Sequence, residues 1–284
     1  MIEIANEHRH LLSLTKIAKL FDMSRSRFYH DGTDDRDVAL RDEIYAITID
    51  WPLYGYRTVT HELRRRGFVV NEKRVRRIMR VEGLVCRRRR ARGLPYRKHA
   101  LPSYPNLAAG LKPTSINQLW VTDFTYVRLF GAFVFVAIVL DAYSRRCIGW
   151  SLARHFRTSL TIEALQMALR RRAPDAGLVH HSDRGGSYSA DDYLTILRKR
   201  GIEISMSRAG TPSDNAICER FMRTFKDEEV RIRDYNDLAD ARRSFARYLD
   251  HTYNHRRLHS SLGYRPPAEF EALNSEPILT TVPA

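Results

Sequence analysis

Apolar residues dominate three successive stretches, residues 118–129, 132–142 and 147–153, separated by Gly131 and by Asp141 to Arg145. Short apolar runs with short turns between predict three strands in an antiparallel meander. Helical spacing follows. Leu160, Ala164, Leu165, Ala168 and Leu169 form one face of a helix that leads to a strand ending near His181. Downstream, Ser189 and Asp192 predict a capping-box helix start. Ile202 to Met206 predicts a strand, Thr211 to Asp214 a turn, Asn215 the start of a helix, and residues 237–254 a last long helix. Strands followed by helices suit an α/β core with a mixed sheet, beginning near residue 115.

Upstream the spacing is helical only. Leu14, Ile17, Ala18 and Phe21 within residues 13–30 fit a helix-turn-helix fragment and an ordinary helical hairpin equally well. Residues 36–85 predict three helices: 36–49, 58–66 stopped by Gly67, and 71–82 capped by Asn71. On the third, Val75, Ile78, Met79 and Glu82 share one face, which leaves Lys73, Arg74, Arg76, Arg77 and Arg80 elsewhere. Prolines 95, 102, 105 and 113 mark an extended linker. The chain thus divides into a short helical segment (1–35), a helix-turn-helix-like DNA-binding domain (36–85), a basic linker (86–114) and a catalytic core with a C-terminal tail (115–284).

Charge adds a partner. The 284 residues carry a formal +15, and segment 57–98 holds 16 Lys and Arg against three Glu, a net +13. Such a concentration of cations points to DNA. Arg74 and Arg77, fixed on a capped helix, are the candidates for base edges, whereas Arg87, Arg88, Arg89 and Arg90 in the linker suit phosphates. The three cysteines, Cys86, Cys147 and Cys218, have neither zinc spacing nor a disulfide framework, which fits a reducing cytoplasm. No leader pattern opens the chain, and the longest apolar run, Phe133 to Leu140, is too short for a membrane span.

Three carboxylates carry the candidate chemistry. Asp123 interrupts an apolar strand, where an unpaired charge is costly. Asp183 follows a strand end, and Glu219 lies on the helix after the turn. If the three converge, each pair at about 4 Å and an effective dielectric of about 20 costs on the order of 4 kcal/mol, so the cluster needs cations, and hard Mg²⁺ suits oxygen ligands. Arg223 and Lys226 follow one and two turns after Glu219 on the same face, placed to hold phosphates. His255 and His259 stand four apart, but no adjacent carboxylate makes them a metal pair.

The words WVTDFTY, HSDRGGSYS and SRAGTPSDNAICERFMRTFK, with 35 residues between Asp183 and Glu219, resemble the DDE transposases of the retroviral integrase superfamily. Specifically, they resemble the second-frame (OrfB) protein of the bacterial insertion-sequence group called IS-three. YNHRRLHSSLGYRPP and YGYRTVTHELRRRGFVVNEKRVRRIMRVEGL extend the resemblance over most of the chain, and Ser187 departs from it where Gln is common. The resemblance implies an RNase H-like core in which Asp123, Asp183 and Glu219 hold two Mg²⁺, with Mn²⁺ able to substitute. It implies cleavage at insertion-sequence ends followed by strand transfer from the freed 3′-OH, a homo-oligomer on DNA, and a first-frame OrfA protein or fusion as partner. A catalytically inactive DNA-binding regulator and a metal-dependent host nuclease without strand transfer are the rival readings.

Overall fold

The computed structural model describes residues 35–84, 104–129 and 132–274. The readings at residues 13–30 and at Arg87, Arg88, Arg89 and Arg90 lie outside the described residues. The chain forms two compact units, residues 1–86 and 87–284.

The first unit contains three helices: α1 (Asp35–Asp50), α2 (Tyr56–Arg65) and α3 (Glu72–Val81). Leu40, Ile44 and Ile47 follow one stripe of α1 and are buried with Val59 and Leu63 of α2 and Val75, Ile78 and Met79 of α3. Gly67 has φ +90° just past α2, a backbone that a side chain would strain, so the helix stops there. The Asn71 side chain accepts the Lys73 amide at 2.8 Å and opens α3. Trp51 and Tyr54 stack at 4.9 Å in the turn between α1 and α2.

The second unit is a five-stranded mixed sheet in the order β3-β2-β1-β4-β5. Strands β1 (Leu119–Leu129), β2 (Ala132–Asp141) and β3 (Cys147–Ala153) form the antiparallel meander, while β4 (Val179–Ser182) and β5 (Glu203–Met206) run parallel to β1. Alternation splits the apolar residues between two layers. Trp120, Ala137, Val139 and Ile148 are buried with residues of α4 (Thr158–Arg172) and α5 (Asp191–Lys199). Val121, Val136, Ile138 and Leu140 are buried with Cys218, Phe221 and Phe225 of α6 (Ala216–Phe225) and Phe245 of α7 (Leu238–Ala246). Helix α4 crosses β3 so closely that a Cβ on Gly149 would stand 2.2 Å from the Ala164 carbonyl oxygen. A short helix, α8 (Pro267–Asn274), ends the described chain.

Two expectations need correction. Ser189 does not cap α5: Ala190 occupies the cap position without a side-chain bond, and the Ser189 hydroxyl is buried without a hydrogen-bond partner. The last long helix is not uniform, because α7 continues into a π-helical stretch, Arg247–Arg256. A similar π turn, Lys226–Val230, extends α6, which itself begins at Ala216 after a 3₁₀ turn, Pro212–Asn215. Buried polar anchors hold these helices. Arg257 pairs with both oxygens of Glu228, and Tyr248 donates to Glu228 at 2.9 Å.

Candidate active site

Register brings the two aspartates together. The parallel pairing of β1 with β4 ends at Val121 and His181, and Asp123 and Asp183, each two residues further on, lie close enough for their charges to interact. The Asp123 carboxylate accepts the amide of Phe124 at 2.8 Å, and Asp183 accepts that of Gly185 at 2.9 Å. A Cβ on Gly185 would lie 2.8 Å from the Asp183 carboxylate oxygen, which explains glycine in the HSDRGG word. His181 pins β4 from below. Ser205 Oγ accepts the amides of Leu107 and Ala108, so its own proton goes to His181 Nδ1 at 2.8 Å, and Nε2–H donates to Ser207 Oγ at 3.0 Å. Burial holds this imidazole below its usual range, neutral.

The aspartates carry the cost of their proximity. Burial, and then the charge of Asp183, push Asp123 up to about 7; Glu219 adds to the rise, while the Phe124 amide and Lys226 oppose it. Burial also raises Asp183 against the Gly185 amide. Glu219, in the first turn of α6, is exposed and pairs with Arg223 at 3.2 Å. Among the described residues no group of three His, Cys, Asp or Glu side chains is gathered closely enough to hold a metal ion. The structure therefore sets Asp123 beside Asp183 with Glu219 in their field, but Glu219 is turned to its helical neighbour. Like charge repels it from the pair, and Arg223 offers a partner one turn away. The hard-oxygen set still suits a divalent cation, because two half-buried carboxylates stand side by side and Lys226 only partly offsets their charge.

The cations depart from expectation in two places. Arg223 is engaged with Glu219, one turn away, in an exposed pair. In the first unit, Arg74 bonds Asp37 at 2.6 and 2.8 Å and Arg77 bonds it at 3.0 Å, tying α3 to α1. Asp37 is buried, and those two guanidiniums hold its carboxyl below the usual range despite the burial. Both arginines thus brace the helices; Arg74 stays half-buried, and Arg77 is exposed like Lys73, Arg76 and Arg80. The Lys226 ammonium lies 5.1 Å from the Tyr126 ring centroid and within the field of Asp123. His259 is buried edge-on against Tyr253 in a packing role.

Sequence reasoning missed Asn215. Its side chain is buried and donates to the Thr122 carbonyl at 2.9 Å, joining the start of α6 to the strand one residue before Asp123. Its signal was the spacing of four before Glu219, one helical turn.

Comparisons with known proteins decide the family. Residues 34–92 match the HTH-like domain, and residues 113–212 and 200–267 match two Integrase core domain families. The transposase for insertion sequence element IS904 of Lactococcus lactis subsp. lactis (strain IL1403) is 34% identical over 78% of this chain and 88% of its own length. Transposase InsF for insertion sequence IS3A of Escherichia coli (strain K12) is 31% identical over 94% of this chain and 97% of its own. The chain belongs to the IS3 group of insertion-sequence transposases. Among solved structures, the transposase is similar to the HTLV-2 integrase catalytic core domain in complex with magnesium, with a TM-score of 0.45 and 14% identity over 56% of this chain and 99% of that one. It is a DDE transposase, a polynucleotidyl transferase acting on DNA with an RNase H-like core, and that class of core depends on divalent metal. No described helix of the transposase is long and apolar enough to cross a membrane.

Proposed function

We propose that Asp123, Asp183 and Glu219 are the metal-holding catalytic acids of this transposase, with two Mg²⁺ ions or Mn²⁺ in their place. The observation that supports this most is the pair of half-buried aspartates, Asp123 on β1 and Asp183 just past the end of the adjacent parallel strand β4, each held above the ordinary carboxylate range. Bound there, the ions supply an activated nucleophile and a stabilised leaving 3′ oxygen. Asp123 and Asp183 give up their shared proton burden to become ligands. Glu219 would complete the ligand set, which would release Arg223 from its pair with Glu219 to offer its charge to the scissile-strand phosphate. Lys226, held over Tyr126, offers a second positive charge to that phosphate. Water is the nucleophile for nicking at the element's ends, and the exposed 3′-OH is the nucleophile for joining.

The proposed division of labour follows the chain. Residues 36–85 bind DNA, 86–114 track phosphates through Arg87, Arg88, Arg89 and Arg90, and 115–284 carry the chemistry. The transposase works in the bacterial cytoplasm on nucleoid DNA, as a homo-oligomer with a first-frame OrfA partner or fusion. Nicking of end-bearing duplexes is the test: it should require Mg²⁺ or Mn²⁺, stop with chelator, and vanish in Asp123→Ala, Asp183→Ala and Glu219→Ala while DNA binding persists. Robust nicking in chelator would remove the acids from the reaction, and metal-independent binding with no nicking at all would favour a regulator.

A further inference from the structure

Strand β1 loses its β4 neighbour after Val121, so its edge from Asp123 onward is open on that side. Beyond Asp123 the β1–β2 hairpin carries aromatic side chains that the core does not bury. Tyr126 is 44% exposed and Phe133 53% exposed, and their rings meet edge to face at 5.4 Å. Register places them on one sheet face: Tyr126 opposite Phe135, and Arg128 opposite Phe133. Phe135 in turn meets Phe156, 64% exposed, at 5.4 Å. Exposed Tyr126 and Phe133, half-buried Phe135 at the rim of the α4–α5 layer, and Phe156 past β3 therefore form a strip of four rings. Scattered apolar residues on a surface require no explanation, but an aromatic strip beside a nucleic-acid active site does.

Both ends of the strip connect to the catalytic acids. At one end the Lys226 ammonium lies 5.1 Å from the Tyr126 centroid and within the field of Asp123. Asp123 and Tyr126 point to opposite faces of β1, and Lys226 spans the open edge between them. At the other end Ser187, in the loop that begins with Asp183, donates to the Phe156 carbonyl at 3.2 Å. Exposed Arg128 shares the strip, and exposed Arg154 and Arg157 flank Phe156 in the chain. Rings with interleaved cations are the composition of a surface that stacks bases and tracks their backbone.

We propose that Tyr126, Phe133, Phe135 and Phe156 form a stacking platform for unpaired nucleobases of the DNA strand entering the active site, with Arg128 and Lys226 taking the adjoining phosphates. This rests on the reading of Asp123 and Asp183 as the reacting centre. The occupant is DNA and not a second protein copy because cations flank the rings and Lys226 links the strip, across the edge of β1, to the proposed catalytic Asp123. Frayed ends bring their bases out of the helix, and the platform receives them at the open edge of β1. Stacking is indifferent to base identity, so the platform promotes strand opening without adding sequence preference.

The test measures binding of the full chain, without divalent metal, to a duplex with a short unpaired 3′ extension carrying 2-aminopurine and to the same duplex closed blunt. Tyr126→Leu and Phe133→Leu alter exposed side chains and should weaken the extended duplex about tenfold and the blunt one by less than about twofold. Tyr126→Trp should retain the preference. Wild type should quench 2-aminopurine by stacking, and Tyr126→Leu should not. Equal loss on both duplexes, or unchanged binding and quenching, would overturn the platform. So would a fall in oligomer mass with no selective loss, which would assign the strip to contacts between copies. Because nothing is cleaved, a failed platform leaves the acid assignment intact, and a failed acid assignment shows separately as nicking that survives Asp183→Ala.

Discussion

The raised Asp123 carboxyl makes metal loading sensitive to pH in a way that follows from its surroundings. Burial and Asp183 push it up to about 7 from an ordinary 3.8, and a carboxylate must be unprotonated to hold a metal. About a tenth of such groups are ionised at pH 6 and about a hundredth at pH 5, so apparent affinity should fall about tenfold per unit below pH 7 and level off above it. The sign for stability is the opposite. Between about pH 4 and 7 the native state binds the Asp123 proton that the unfolded chain has lost, so this group makes the metal-free protein less stable as pH rises. Mn²⁺ titration by calorimetry in two buffers of different ionisation heat measures both the affinity and the proton released. Near pH 6 about one proton should leave Asp123 per bound site, with Asp183, raised in the same direction, adding to it. In Asp123→Asn that proton should disappear. An affinity that is flat from pH 5.5 to 7.5, or that rises on acidification, would refute the reasoning.

Two further predictions rest on single bonds. Asn215→Ala removes the tie from α6 to the Thr122 carbonyl, so the metal concentration for half-maximal nicking should rise about tenfold, with a smaller effect at saturating metal; an unchanged metal dependence would show that the tie does not position Glu219. Arg74→Ala takes one of two partners from Asp37 and should destabilise the first unit by about 1 to 2 kcal/mol in thermal unfolding. It should weaken end and random duplexes alike, and a selective loss on the end duplex would restore Arg74 to base reading.

The sequence displayed what depends on near neighbours. Apolar runs located β1, β2 and β3, helical spacing located α4, and Gly67 and Asn71 marked where α2 stops and α3 starts, since each signal spans only a few residues. Asp123 stood out as a candidate because an aspartate inside an apolar strand is costly without a purpose. Partnerships across the fold were not legible. Arg74 and Arg77 find Asp37 almost forty residues away, Asn215 finds Thr122, and Lys226 finds Tyr126, none of which a linear pattern ranks above its alternatives. Ser189 resembled a cap by residue type, but Ala190 occupies that position and no side chain caps α5. Glu219 shows the limit most plainly, since whether it faces the aspartates or Arg223 depends on a balance of charges and not on its spacing.

The central claim is that one carboxylate site both cuts and joins DNA. It is tested most directly by giving the transposase a precleaved end bearing a free 3′-OH, with Mg²⁺ and a target duplex, and resolving the joined strands. The wild-type chain, with its OrfA partner or fusion supplied, should produce joined product, and Asp123→Ala, Asp183→Ala and Glu219→Ala should each produce none while still binding the end. Joining that survives loss of any one acid, or nicking without any joined product from the precleaved end, would contradict the account.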